Sequence, residues 1–150
     1  MADGASVSLQ ATVLPDEIAK TFSATLNLDP EDGNDKWYYK LTSVPNTSQN
    51  LITGSYTDYT AVDSATAPLT IDTAADLVKF LFVKNTDATE SVYITLDGRA
   101  ASSSATAGLT LGPDQGVALR LPNGVVDNVK AISSAGTVEC IVCALLDDVA

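Results

Sequence analysis

Two stretches decide the fold: residues 77–84, Leu-Val-Lys-Phe-Leu-Phe-Val-Lys, and residues 137–146, Thr-Val-Glu-Cys-Ile-Val-Cys-Ala-Leu-Leu. Both are short and rich in aromatic and β-branched side chains, which is typical of β-strands. Successive side chains of a strand point to opposite faces, so a strand of a small sandwich should alternate apolar with polar residues. These two strands carry apolar side chains on both faces. The second face must therefore be covered by another segment or by another chain.

The outward faces of these two strands are the predicted interface. Strand periodicity puts Val78, Phe80 and Phe82 together on the predicted core side of the first strand. In the second strand it puts Val138, Cys140, Val142 and Ala144 on that side. The predicted interface residues are Leu77, Leu81, Val83, Ile141, Cys143 and Leu145.

The remaining chain also consists of short alternating runs separated by turns. These predicted strands are 6–13, 21–28, 36–44, 69–72, 91–96, 109–111, 117–121 and 129–132. The turns contain Gly, Asn, Asp or Pro, as in residues 112–116, Gly-Pro-Asp-Gln-Gly, where a tight hairpin is expected. Helix signals are scarce, and the best candidate is residues 15–20, which could supply at most a turn or two. About 8–10 short antiparallel strands predict an all-β fold, a β-sandwich or jelly roll, with a closed barrel as the second choice.

A length of 150 residues suits one domain. We therefore predict a single β-sandwich domain over residues 1–150, with residues 1–14 as an N-terminal arm or edge strand. The predicted core contains Phe22, Trp37, Tyr39, Phe80, Phe82, Ile94, Leu119 and Val142.

The charge balance limits the possible functions. The chain has 8 Lys and Arg against 19 Asp and Glu and no His, for a formal net charge of −11. This charge opposes binding to nucleic acids and to anionic membranes. Without His, no Ser-His-Asp or Cys-His catalytic unit can form. The sequence predicts no enzyme and no cofactor.

Three small groups of residues are candidate binding or redox sites. Asp29, Asp32 and Asp35 could offer oxygens to Ca²⁺, but their spacing departs from an EF-hand, and a solvated acidic loop is the favoured interpretation. Tyr38, Tyr56 and Tyr59 could stack on sugar rings. Cys140 and Cys143 form a C-x-x-C pair, but on a strand they point to opposite faces, which favours two buried apolar residues over a redox or zinc site.

A further pattern carries a resemblance. It runs through residues 79–86, Lys-Phe-Leu-Phe-Val-Lys-Asn-Thr; residues 92–98, Val-Tyr-Ile-Thr-Leu-Asp-Gly; and residues 111–122, Leu-Gly-Pro-Asp-Gln-Gly-Val-Ala-Leu-Arg-Leu-Pro. It ends with Val-Lys-Ala-Ile at 129–132 and Gly-Thr-Val at 136–138. This layout of strands and turns resembles the small β-sandwich head and tail proteins of tailed-phage virions.

The resemblance implies a virion building block without a catalytic site. We expect a capsid decoration or cement protein, with a tail or neck protein or a glycan-binding adhesion module as alternatives. The expected partners are further copies of the chain and other virion proteins, such as a major capsid protein. The first residues lack the basic and apolar regions of a signal peptide, so we expect synthesis in the host cytoplasm and a final location in the virion.

Overall fold

The structure, a computed structural model, describes residues 5–13, 20–28, 35–54, 70–104 and 108–147. Contacts divide the chain into two compact units, Met1–Gly33 and Asn34–Ala150.

The described part of the first unit is a β-hairpin. Strands β1 (Ala5–Val13) and β2 (Lys20–Leu28) pair antiparallel along their whole length. The predicted N-terminal arm therefore contains a strand, which pairs with the next strand along the chain. The short helical turn expected at residues 15–20 lies outside the described residues, apart from Lys20 in β2. The prediction of one domain over residues 1–150 stays a prediction.

The second unit is built from β-strands. Its described residues form eight strands in two four-stranded antiparallel sheets. The bounds are β3 (Asp35–Pro45), β4 (Gln49–Asn50), β5 (Leu77–Asn85), β6 (Val92–Thr95), β7 (Leu109–Leu111), β8 (Gly116–Val125), β9 (Lys130–Ser133) and β10 (Thr137–Asp147). One 3₁₀ turn (Val126–Asn128) joins β8 to β9. The predicted all-β sandwich is confirmed.

The strands pair as nested partners. β3 pairs with β10, β4 with β9, β5 with β8 and β6 with β7. One sheet has the order β3-β10-β5-β8 and the other β4-β9-β6-β7. The unit is thus one long antiparallel hairpin with its tip at β6 and β7, rolled so that successive pairs lie in alternate sheets. This is the arrangement of a jelly roll.

Side chains from both sheets form one core. It includes Val44, Val78, Leu81, Val83, Val138 and Val142 from the first sheet, and Val92, Ile94, Leu111 and Ala131 from the second. The predicted core positions Ile94 and Val142 are confirmed. Leu119 is half-buried, and the side chain of Phe22 lies outside the described part of the chain.

The core side of β3 is the opposite of the predicted one. Tyr38 and Val44 point into the core, whereas Trp37 and Tyr39 lie on the other face. Both faces of this strand carry aromatic rings, so alternation alone does not identify the inner face. Pairing with β10 decides it, because the small Ala144 lies opposite Tyr38 and leaves room for the ring.

A β-bulge reverses the faces of β5. The register with β10 shifts between Val78 and Phe80, where Lys79 is the extra residue, and the register with β8 shifts at the same place. Val78 therefore shares the core face with Leu81 and Val83. The predicted face of Phe80 and Phe82 is wrong, since both lie on the outer side of the sheet, paired with Leu145 and Cys143. Phe80 is buried there, as predicted, and Phe82 is half-buried.

The Gly-Pro turn also has a different role from the predicted one. Gln115 N donates to the Gly112 carbonyl oxygen at 3.2 Å, and Asp114 adopts a φ of 56°, so a tight turn is present. The turn does not close a hairpin, because β7 and β8 belong to different sheets. It carries the chain from one layer of the sandwich to the other.

Candidate interaction surface

The first sheet turns a largely apolar face away from the core. We call it the outer face and define it by Trp37, Tyr39, Leu41, Phe80, Phe82, Lys84, Ala118, Arg120, Ile141, Cys143 and Leu145. These residues form cross-strand rows. Leu145 lies between Trp37 and Phe80, and Cys143 lies between Tyr39 and Phe82. Directly opposed side chains of this kind contact one another on the same face of a sheet.

The outer face is buried at one end and exposed at the other. Phe80 and Leu145 are 2% and 3% exposed, whereas Tyr39 and Leu41 are 46% and 57% exposed. Ile141, Cys143 and Phe82 have intermediate exposure. The apolar surface open to solvent is therefore concentrated along β3 and the neighbouring part of β10.

Two cations border this apolar surface. Lys84 lies opposite Ile141, and Arg120 lies opposite Phe80, and both side chains are exposed. Neither forms an ion pair with a described residue. Two of the 8 basic residues of this acidic chain, whose net charge is −11, therefore lie on the outer face.

The buried end of the outer face continues into an ionic triad. Lys79 Nζ lies 2.8 Å from Asp35 Oδ1 and 3.4 Å from Asp147 Oδ2. Asp35 and Asp147 are directly opposed across β3 and β10. Like charges at such a position repel, and the lysine delivered by the bulge offsets this repulsion.

The predicted interface residues divide between the two faces of the sheet. Ile141, Cys143 and Leu145 lie on the outer face, as strand periodicity indicates. Leu77 is half-buried opposite Asp147. Leu81 and Val83 are fully buried in the core, so their predicted position is wrong. The bulge at Lys79 is the cause of the reversal.

The predicted metal-binding residues do not come together in the described structure. Asp35 is buried and paired with Lys79, whereas Asp29 and Asp32 lie outside the described residues. Within the described ranges, no group of three or more Cys, Asp or Glu side chains is arranged to hold a metal ion.

Tyr38 lies in the core, where a sugar ring cannot reach it. It is fully buried, and its hydroxyl donates to the Thr53 carbonyl oxygen at 3.4 Å. Burial raises the pKa of this phenol. The prediction of Tyr38 as a glycan contact is therefore wrong, and Tyr56 and Tyr59 lie outside the described residues.

The two cysteines are free and lie on opposite faces of β10. Cys140 is in the core, and Cys143 is half-buried on the outer face. Burial, with a smaller contribution from the charge of Glu139, raises the pKa of Cys140 to about 12. Burial also raises the pKa of Cys143. The thiol of Cys140 serves as a small apolar core group.

This burial predicts a loss of stability in alkaline solution. An unfolded Cys140 thiol ionises above its ordinary pKa of 9.0, whereas the folded protein keeps it protonated up to about 12. Its contribution is therefore fully present below pH 9 and is lost as the pH rises toward 12. We expect the free energy of unfolding to fall by about 2–3 kcal/mol at a pH of about 11. Urea titrations at a series of pH values measure this decrease.

The variant Cys140→Ala provides the control for this prediction. It should lose part of the alkaline dependence, because the group whose pKa differs between the folded and unfolded states is gone. Equal slopes in the wild type and the variant would contradict the assignment to Cys140.

Sequence patterns did not single out Tyr39, Leu41, Lys84 and Arg120 as members of one surface. Within each strand these residues alternate with core residues. Whether they share one face depends on how β3 and β5 pair with β10 and how β8 pairs with β5. The one sequence signal for this surface is a basic residue directly after an apolar run, as at Val83-Lys84.

Comparison of the chain with protein-family models, with curated proteins and with solved structures finds no match. None of the described residues belongs to a helix of the length and hydropathy needed to cross a membrane.

Proposed function

We propose that this chain is a non-enzymatic virion structural protein, most specifically a capsid decoration or cement protein of a tailed phage. The observation that carries the proposal is the outer face, where exposed Tyr39 and Leu41 adjoin half-buried Ile141, Cys143 and Phe82. A contiguous apolar patch on a sheet is typical of a protein–protein interface.

The jelly roll supports the proposal at the level of fold alone. Viral capsid domains use this architecture, as do lectin domains. Because one fold serves many functions, the assignment to a virion rests on the sequence resemblance between residues 77 and 146 and on the surface chemistry.

The charges on the outer face indicate an acidic partner, and we assign that role to a second copy of this chain. The exposed Lys84 and Arg120 would each meet a carboxylate, and the chain offers 19 acidic residues. Burial of the apolar centre would supply most of the binding free energy. The charged pairs would orient the copies and exclude wrong partners. The acidic surface that remains exposed would keep the oligomer soluble and steer it toward basic regions of a major capsid protein.

Self-association through this face predicts a specific response to charge reversal. The double variant Lys84→Glu, Arg120→Glu should weaken self-association about tenfold or more, because acidic groups would then face acidic groups. Light scattering coupled to size exclusion, over a concentration series, measures the shift. The wild-type association should also weaken as salt concentration rises.

The matched control is Arg99→Glu. Arg99 is an exposed cation in the β6–β7 connection, with a side chain 87% exposed and a partner at Asp97. Its reversal should leave association unchanged. A wild-type chain that stays monomeric at every concentration, or equal effects of both reversals, would contradict the assigned interface.

The virion assignment has its own test. Electron microscopy of purified particles, labelled with an antibody against this chain, should show many copies at regular positions on the head. Absence of label from intact particles, with label elsewhere in the lysate, would refute the decoration role and leave the interface assignment standing. Label confined to the tail or neck would instead favour the alternative structural role.

A further inference from the structure

The triad of Asp35, Lys79 and Asp147 brings an amine and two carboxyl groups together at a poorly exposed place. The carboxyl groups of Asp35 and Asp147 both lie within 3.4 Å of the amine nitrogen, Lys79 Nζ. The side chain of Asp35 is 0% exposed, that of Lys79 is 14% exposed and that of Asp147 is 23% exposed. Little water therefore reaches the contact between Lys79 Nζ and Asp35.

Each member is held in place by the sheet. Asp35 begins β3 and lies opposite Asp147 at the end of β10. Lys79 is the bulge residue of β5, two strands away from β3, and its long side chain spans the intervening β10. The next row of the same face contains Leu145 and Phe80, both almost fully buried, so the triad borders an apolar environment.

We propose that Lys79 and Asp35 condense into an intramolecular isopeptide bond, with Asp147 as the proton carrier. The Lys79 nitrogen attacks Cγ of Asp35 and forms the new N–C bond, and one C–O bond of the Asp35 carboxyl group breaks. The ammonium group brings three protons: one stays on the amide nitrogen and two leave with the departing oxygen as water. Asp147 accepts a proton from Nζ and returns it to the leaving oxygen, so it ends as a carboxylate. No oxidant, reductant or further reactant is needed.

The site lowers the barrier by position. A fixed pair of reacting groups behaves as if the reactant were present at about 10⁵–10⁸ M, which lowers the barrier to forming the amide. A carboxylate beside the amine supplies general acid–base catalysis.

The bond would join β3 to β5 across β10. These two strands do not pair with each other, so the link would hold three strands of one sheet together at a single end. A covalent link of this kind stabilises a fold by restricting the unfolded chain, as a disulfide does, and it persists under reducing conditions. The inference does not depend on the proposed virion role.

Intact-mass spectrometry of the full chain under denaturing conditions tests the proposal. The wild type should be lighter than the mass calculated from its sequence by one water molecule. Proteolysis should release a branched peptide joining the segment around Asp35 to the segment around Lys79. The variants Lys79→Arg and Asp35→Ala should each show the full calculated mass. The variant Lys84→Arg, on the same strand but exposed, should keep the deficit.

Two further measurements separate the alternatives. An aspartate can also lose water by forming a succinimide with its own backbone. That product would persist in Lys79→Arg and would hydrolyse in mild base, whereas the isopeptide bond would do neither.

Asp147→Asn should slow the appearance of the bond in freshly refolded protein at least tenfold. An unchanged rate would remove the proton carrier from the proposal. A wild-type chain of full calculated mass after prolonged incubation would overturn the proposal as a whole.

Discussion

Replacing Gly108 with alanine should destabilise the sandwich more than any other glycine-to-alanine change at a described position. Gly108 precedes β7 and adopts a φ of +132°, a conformation that residues with a side chain rarely adopt. A Cβ atom here would collide with the carbonyl oxygen of Ile94, which is backbone and cannot turn aside. Strain and overpacking together should lower the free energy of unfolding by about 3 kcal/mol or more. Urea denaturation, followed by the fluorescence of the single tryptophan, Trp37, measures the loss.

Gly124→Ala is the matched control for this change. Gly124 lies in β8 and an added Cβ there meets no atom within 4 Å. Its substitution should change stability by less than about 1 kcal/mol. Similar losses for the two variants would show that the close approach between residues 94 and 108 is not what requires glycine.

Replacing Asn85 with alanine should have the second large effect. Asn85 ends β5 with a fully buried side chain. Its amide nitrogen donates to the carbonyl oxygens of Glu90 at 2.7 Å, Gly112 at 3.0 Å and Leu111 at 3.3 Å. Its amide oxygen accepts from Asp87 N at 2.9 Å.

One side chain thus fastens the β5–β6 connection to the β7–β8 turn. Alanine would leave several backbone groups unpaired away from water, at about 1–3 kcal/mol each. We expect a total loss of roughly 3–5 kcal/mol in the free energy of unfolding, again measured by urea denaturation.

Two variants complete the test of Asn85. Asn85→Asp keeps the volume and the acceptor but removes the donors, so it should be about as damaging as alanine. Asn46→Ala, at an exposed bend after β3, should be nearly neutral. A small effect of Asn85→Asp would indicate that the donors contribute little and that side-chain volume is what matters.

The strands were predictable because their signals are local. Alternation and turn chemistry placed nine of the ten described strands within a few residues of their observed bounds, for example Ser6–Val13 against Ala5–Val13. One strand that was missed and one that was wrongly predicted show the limits of such signals. β4 is only two residues long, too short for any alternation. The predicted strand at 69–72 has no counterpart beyond an isolated bridge at Thr70, and Leu69 lies outside the described residues.

The faces were less predictable than the strands, because a face depends on non-local register. In β10, where every second residue is small or branched, the core face was identified correctly. In β5, the extra residue Lys79 moves Val78 onto the core face, and nothing in the local pattern marks a bulge. In β3, aromatic residues occupy both faces, and the inner one is set by Ala144 on a strand at the far end of the unit. The candidate surface and the triad both follow from these registers.

The nested pairing of the strands has a consequence for the order of events during synthesis. The innermost pair, β6 and β7, can form early, because its strands are close in sequence. β3 must wait for β10, since the only neighbour of β3 within the described sheet is the last of the described strands to be translated. Sheets built from such distant segments form slowly. The outer face draws on β3, β10 and β5 together, so a nascent chain does not present it. The proposed contact between copies would therefore become available only after translation has passed β10, so a partly made sheet would not take part in it.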